Sequence, residues 1–231
     1  SVEHTTDDAA VLSYAREAAT VLHDHLDAPG EAVEVLRRAV AIAPDDRRLR
    51  SLLAEGLRDR GDLDEAKALL EESIAGFGRR GSRERAQAHI QLARVLHAQG
   101  SSEEALAQLD IATKMDADNV ESLQTLADFA REAGELHRAE AALRMLLLTA
   151  RRLQADEKTE TPIGTSEVLF ELASIAQARG QEDQSEELAE SAIESLAEGD
   201  VHAPRLQKKL REKGEYTLLA RLLDARLRYV R

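Results

Sequence analysis

The sequence predicts an all-α protein, a right-handed α-solenoid of about six helix–turn–helix hairpins, and three observations carry that expectation. Val, Ile and Thr never cluster in alternating runs, and Pro occurs only four times and Gly twelve, so strand and β-hairpin signals are missing. Aromatic residues make up 3% of the chain while Leu and Ala recur throughout, a diet that suits closely packed helices with aliphatic cores. A phrase also repeats: Leu53-Ala54, Gly61 and Glu65-Ala66 are followed at equal spacing by Leu92-Ala93, Gly100 and Glu104-Ala105. It returns as Leu126-Ala127, Gly134 and Ala139, and again as Leu172-Ala173, Gly180 and Ser185.

With a period of 34 residues the copies are 13–46, 47–80, 86–119, 120–153, 166–199 and 200–231, separated by insertions at 81–85 and 154–165. The whole chain, 1–231, is then one repeat domain. Position 7 of the unit reads Ala19, Leu53, Leu92, Leu126, Leu172, Leu206, and position 8 reads Thr20, Ala54, Ala93, Ala127, Ala173, Gln207. Position 20 is Ala32, Ala66, Ala105, Ala139, Ser185, Leu219, and position 24 is Leu36, Leu70, Leu109, Leu143, Ala189, Leu223. Small side chains at 8 and 20 let two helices approach to roughly 8–10 Å, with the Leu columns filling the grooves beside them. Position 15 is Gly in five copies (Gly61, Gly100, Gly134, Gly180, Gly214), where a positive φ ends the first helix at little steric cost. Ser101 with Glu104 has the spacing of a capping box for the helix that follows.

Period, turn and small–large columns together resemble the tetratricopeptide repeat family. The resemblance spans nearly the whole chain and is closest from Arg47 to Gly199. The chain departs at position 4, where the family's usual Trp is Arg16, Arg50, His89, Leu123, Leu169 and Ala203. It departs at position 11 as well, with His23, Leu57, Leu96, Ala130, Ala176 and Leu210 in place of an aromatic residue. Position 32 keeps its Pro only at Pro44.

In that family the first helix of each unit lines a concave groove. The resemblance therefore implies a non-catalytic scaffold or adaptor whose partner is a protein or peptide held in the groove by Arg48, Glu55, Arg58, Gln91, Arg94, His97, Gln124, Asp128, Arg131, Phe170, Glu171 and Gln177. Ile90 and Phe170 are the large apolar side chains it assigns to that face. Arg94 and Arg131 can each fork a carboxylate or simply solvate a helix. The Lys and Asn with which some family members clamp a C-terminal carboxylate are absent, since positions 5 and 9 carry Ser51, Ile90, Gln124, Phe170 and Glu55, Arg94, Asp128, Ser174.

Composition excludes other functions. The 231 residues include no Cys, so disulfides, thiolate metal sites and a Cys nucleophile are impossible. A net charge of −13 argues against broad nucleic-acid binding. No apolar stretch, Met145–Leu148 included, approaches the roughly 18 residues of a membrane span. Arg outnumbers Lys 25 to 6, which hints at a GC-rich bacterial genome. A cytoplasmic location is the expectation, and the first residue is Ser1, so the chain is readable as part of a longer protein.

Chemistry-bearing motifs dissolve on inspection. Gly76-Phe77-Gly78-Arg79-Arg80-Gly81 spells the dinucleotide fingerprint without the strand and βαβ setting it requires, and reads as a connector. His23 and His25 sit about 200° apart around a helix and cannot share one metal. Asp62, Asp64, Asp116 and Asp118 read as turn caps. No Ser, His and Asp set has a nucleophile motif, so neither an enzyme nor a cofactor is expected.

Charge is uneven. From Arg205 to Arg231 nine basic and three acidic residues give +6, against −19 for the rest. The terminal helix, 215–231, carries Leu218, Leu219, Leu222, Leu223, Leu227 and Val230 on a face that needs cover, which makes a homo-oligomer through it the alternative function. A regulatory arm of a larger multidomain protein is another.

Overall fold

A computed structural model describes residues 29–78, 82–154, 162–197, 203–212 and 216–229, with Ala10, residues 12–18, Val21 and Gly214. Ala19, Thr20, His23, His25, Arg79, Arg80, Gly81 and Val230, which the sequence reading singled out, lie outside the described residues. The fold is all-α. It falls into two compact units, Ser1–Ala117 and Asp118–Arg231. The first holds α1 (Pro29–Ile42), α2 (Arg47–Arg60), α3 (Leu63–Gly76), α4 (Arg83–Ala98) and α5 (Ser102–Met115). The second holds α6 (Val120–Glu132), α7 (Leu136–Gln154), α8 (Thr165–Ala178), α9 (Glu182–Ala197), α10 (Ala203–Glu212) and α11 (Tyr216–Tyr229).

Within the first unit α2 packs on α1 and α3, and α4 packs on α3, α5 and the preceding first helix, α2. Within the second, α6 packs on α7, α7 on α8, α8 on α9, and α9 on α11, while α10 meets α11 and touches α8 only lightly. Within each unit a hairpin thus covers the apolar stripe of its neighbour, the logic of stacked repeats. The expected columns form the cores: Leu53, Leu92, Leu126, Leu172 and Leu206 are buried beside Ala54, Ala93, Ala127 and Ala173, and Ala66, Ala105 and Ala139 are fully buried on the second helices. Ser185 stands in the last of these columns, and its hydroxyl donates to the Ala173 carbonyl at 2.9 Å, turning a close helix approach into a hydrogen bond.

The turns between paired helices follow from glycine. Gly61, Gly100, Gly134, Gly180 and Gly214 all have positive φ, between 72° and 93°, and a Cβ at Gly134 would meet nothing within 4 Å. The penalty for a side chain there is therefore conformational. Gly134→Ala is expected to lower the unfolding free energy by about 1–2 kcal/mol, measurable by urea titration. An unchanged midpoint would contradict the left-handed turn.

Helix starts differ from the sequence reading. Asp46 caps α2, accepting from the Arg48 and Leu49 N–H groups at 3.0 and 3.1 Å. Ser82 caps α4 through the Arg85 N–H, and Asn119 caps α6 through the Ser122 N–H. Ser101 and Asp62 make no side-chain cap bond, so the capping box and the cap assigned to Asp62 are both corrected. Their ψ values of 63° and 58°, set by the glycine just before them, lie short of the extended conformation that Asp46 (100°) and Asn119 (106°) adopt to reach the first turn. Asp62 instead pairs with Arg60, Asp64 accepts from Gln99, and Asp118 pairs with Arg152. Burial alone would raise the Asp46 carboxyl. The Leu49 N–H, the Arg16 guanidinium and the Arg48 N–H outweigh it and hold that group below the usual carboxylate range.

Two stretches assigned to insertions are partly helical. Arg83 to Arg85 form the first turn of α4, and α7 continues to Gln154, whose side-chain oxygen accepts from the Thr165 hydroxyl at 2.7 Å as α8 begins.

Position 4, where the resemblance lacks its Trp, carries polar bridges. Arg50 donates through Nε to Ser73 on α3 at 3.0 Å and pairs with Glu72. His89, buried on α4, places Nδ1 2.8 Å from Gln108 Oε1 on α5. The Nδ1–H tautomer donates to that oxygen and leaves at Nε2, which is buried without a partner, only a lone pair; a charged ring would leave an N–H there. Burial, aided by nearby Arg85, lowers the proton affinity of the ring below its ordinary value, against the pull of the Gln108 hydrogen bond. The unfolded chain then binds a proton first as pH falls. The stability contributed by neutral His89 is complete above about pH 6.5 and declines below it. His89→Phe is expected to lose less melting temperature than the native protein between about pH 7 and 5. Parallel losses would contradict this account of the ring.

Candidate functional site

Among the described residues, a hollow in each unit opens on first helices. In the first unit a cavity of about 360 Å³ lies among α2, α3 and α4. Arg47, Arg48 and Ser51 of α2 and Gln87 and Gln91 of α4 line it, with Leu70, Ser73 and Phe77 behind. The Ser51 hydroxyl donates to Gln91 Oε1 at 3.0 Å, tying the two first helices together across it, and the Arg47 guanidinium stands 4.4 Å from the Phe77 ring centroid. Such a stacked cation holds its charge at the rim over an apolar floor.

In the second unit a cavity of about 440 Å³ separates α8 and α9 from α10 and α11. Its apolar wall is Phe170, Ala173, Ala189, Leu206, Leu210 and Leu218. Its polar groups are Glu167, Glu171, Ser174 and Gln177 of α8, Glu182, Ser185 and Glu186 of α9, Lys209 of α10 and Arg221 of α11. Gln207 and Leu219, which take the two small-residue positions of the last hairpin, do not line the cavity.

Of the sequence-assigned groove residues, Arg48 and Gln91 meet at the first cavity and Phe170, Glu171 and Gln177 at the second. The others stand apart from the cavity walls. Glu55, Arg58, Arg94 and His97 lie on α2 and α4, with Arg58 forked onto Asp59 at 2.7 and 2.9 Å. Gln124, Asp128 and Arg131 lie on α6, where Arg131 pairs with Asp128 at 2.9 Å. Ile90, assigned to the groove face, is fully buried and serves the core. Leu223, assigned to the packing column at position 24, is 42% exposed.

Sequence reasoning missed Lys209, Arg221, Glu182 and Glu186, because it followed first-helix positions one unit at a time and these come from other helices. Among the described residues no three His, Asp or Glu side chains cluster to hold a metal ion, and no helix is long and apolar enough to cross a membrane.

Residues 25–75 and 57–124 match the family model of the tetratricopeptide repeat. No curated protein matches the sequence. Among solved structures, the nearly identical TPR-like repeats assigned to a kinesin light chain of Podosopora anserina are 23% identical, with 83% of this chain and 96% of that one covered and a TM-score of 0.63. PilW, described as a widely conserved type IV pilus biogenesis factor, is 18% identical over 88% of this chain and 82% of its own, with a TM-score of 0.63. YrrB, described as a TPR protein with an unusual peptide-binding site, is 13% identical over 77% and 82%, with a TM-score of 0.53. At these identities the likeness is one of fold.

Proposed function

We propose that this tetratricopeptide repeat chain is a non-catalytic scaffold that holds a protein or peptide against the first helices of its hairpins. Tetratricopeptide repeats are in general protein-interaction scaffolds, and YrrB is described as having a peptide-binding site. The observation that carries the reading here is that both cavities open on first helices, α2 with α4 and α8 with α10, and not on the outer face of the second helices alone. Each joins apolar floor to a few polar groups, the combination that binds and orients a peptide.

On the first helices α4 of the first unit and α6 of the second, Arg94 and Arg131 each carry a guanidinium of the kind that takes a partner carboxylate in a fork. Capture of partners by the intact protein is to be compared with an Arg94→Glu, Arg131→Glu double variant that keeps its helical circular dichroism. The expected result is at least tenfold weaker retention by the double variant. A partner retained equally by both would overturn this placement of the groove.

A second reading is self-association through α11, which leaves Leu223 42% and Leu227 68% exposed. Light scattering across a concentration series tests it: growth of a dimer that Leu223→Asp with Leu227→Asp abolishes supports it, and a monomer at every concentration removes it.

A further inference from the structure

The cavity of the second unit has a charge pattern that narrows its occupant. Glu171 is only 6% exposed. Its ion-pair partner is Lys209, whose ammonium also lies 3.9 Å from Glu167. Two carboxylates of α8 therefore share one cation from α10. At the rim α9 adds Glu182 and Glu186, while Arg221 is drawn to Glu190 at 3.4 Å. Four carboxylates thus line the space against two cations.

Withdrawing carboxylates from water costs several kcal/mol unless cations and hydrogen bonds replace the hydration. One ammonium shared between two carboxylates leaves room for a second cation. Beside Ser174, Gln177 and Ser185, the wall has an apolar side with Phe170, Leu206 and Leu210 along it. A group that suits both has a long aliphatic stem and a charged tip. Arg fits better than Lys, because its planar guanidinium presents five donors, forks between carboxylates and stacks on an aromatic face.

We propose that this cavity receives an arginine side chain of a basic, apolar partner peptide, the guanidinium paired with Glu167 and Glu171 and the stem along Phe170 and Leu210. The assignment rests on the scaffold reading and names the chemistry of the partner that α8 and α10 select.

The probe is a short fluorescein-labelled peptide alternating Leu and Arg, followed by anisotropy with the full chain, beside the same peptide carrying Lys or Glu in place of Arg. The Arg peptide is expected to bind, the Lys peptide several-fold more weakly, and the Glu peptide not measurably. Glu171→Gln and Glu167→Gln are each expected to weaken the Arg peptide about tenfold, the loss of one charge-assisted hydrogen bond. Asp118→Asn, a variant of equal charge change whose carboxylate pairs with Arg152 at 2.7 Å outside the cavity wall, is expected to bind as the native chain does. Glu167→Gln serves if Glu171→Gln loses its helical signal. No binding of the Arg peptide by the native chain, equal binding of the Glu peptide, or an Asp118→Asn loss as large as that of Glu167→Gln would overturn the proposal. None of those results alters the Arg94 and Arg131 comparison, so the two readings fail separately.

Discussion

Leu109→Ala is expected to lower the unfolding free energy by about 2–5 kcal/mol, the largest single effect this structure predicts. Leu109 stands on α5 with no exposed surface. Its truncation forfeits the transfer energy of the lost carbons and leaves a cavity that rigid neighbours close only partly. The position is one of a column, with Leu36, Leu70 and Leu143 in the same place in other hairpins and all buried. Urea titration gives the free energy. Hydrogen exchange gives its location, since protection in α4 and α5 is expected to fall first where each repeat leans only on its neighbours. Leu148→Ala is the control, because Leu148 is 61% exposed and its truncation is expected to stay within about 0.5 kcal/mol. A Leu109 effect no larger than that of Leu148 would contradict the packing described for the first unit.

Ala93→Leu, the opposite change in volume, is expected to destabilise as well, by about 1–3 kcal/mol. Ala93 has no exposed surface, and α4 is packed by α2, α3 and α5. Three added carbons have nowhere to go without parting helices that small residues bring together. A hydrophobicity scale alone predicts the reverse sign, so the experiment separates close approach from mere apolar content. Ala98→Leu, at an exposed position of the same helix, is expected to leave the stability nearly unchanged. Equal tolerance at Ala93 and Ala98 would show that the small-residue column does not set helix spacing.

Such columns were legible in the sequence because packing imposes them at a fixed period. A Leu beside an Ala must recur wherever a first helix meets both its partner and its neighbour, and Leu92-Ala93 and Leu172-Ala173 do so. The glycine column was legible for the same reason, a backbone conformation that few other residues accept. Caps were not, because they depend on one backbone angle: Ser101 has the right side chain with the wrong ψ, while Asp46 and Asn119 fill the last position of their repeats and Ser82 stands in an insertion. The position-4 side chains also escaped notice as bridges. Arg50 and His89 reach across to Ser73 and Gln108, pairings whose residue types vary from hairpin to hairpin and so leave no periodic trace.

The site was legible by face and not by composition. Phe170, Glu171 and Gln177, assigned to one side of α8, line the second-unit cavity together, yet Lys209, the cation paired with Glu171, arrives from the next hairpin. Ile90 failed for a related reason: position 5 faces the groove only where the adjoining first helix leaves it uncovered, and α2 and α4 pack together.

Which face of the hairpins a partner touches is decided most directly by photo-crosslinking. With a benzophenone side chain placed at Gln177 on α8 or at Glu187 on α9, both exposed, the partner is expected to be trapped from Gln177 and not from Glu187. Trapping from Glu187 alone, or equally from both, would contradict the assignment of binding to the first helices.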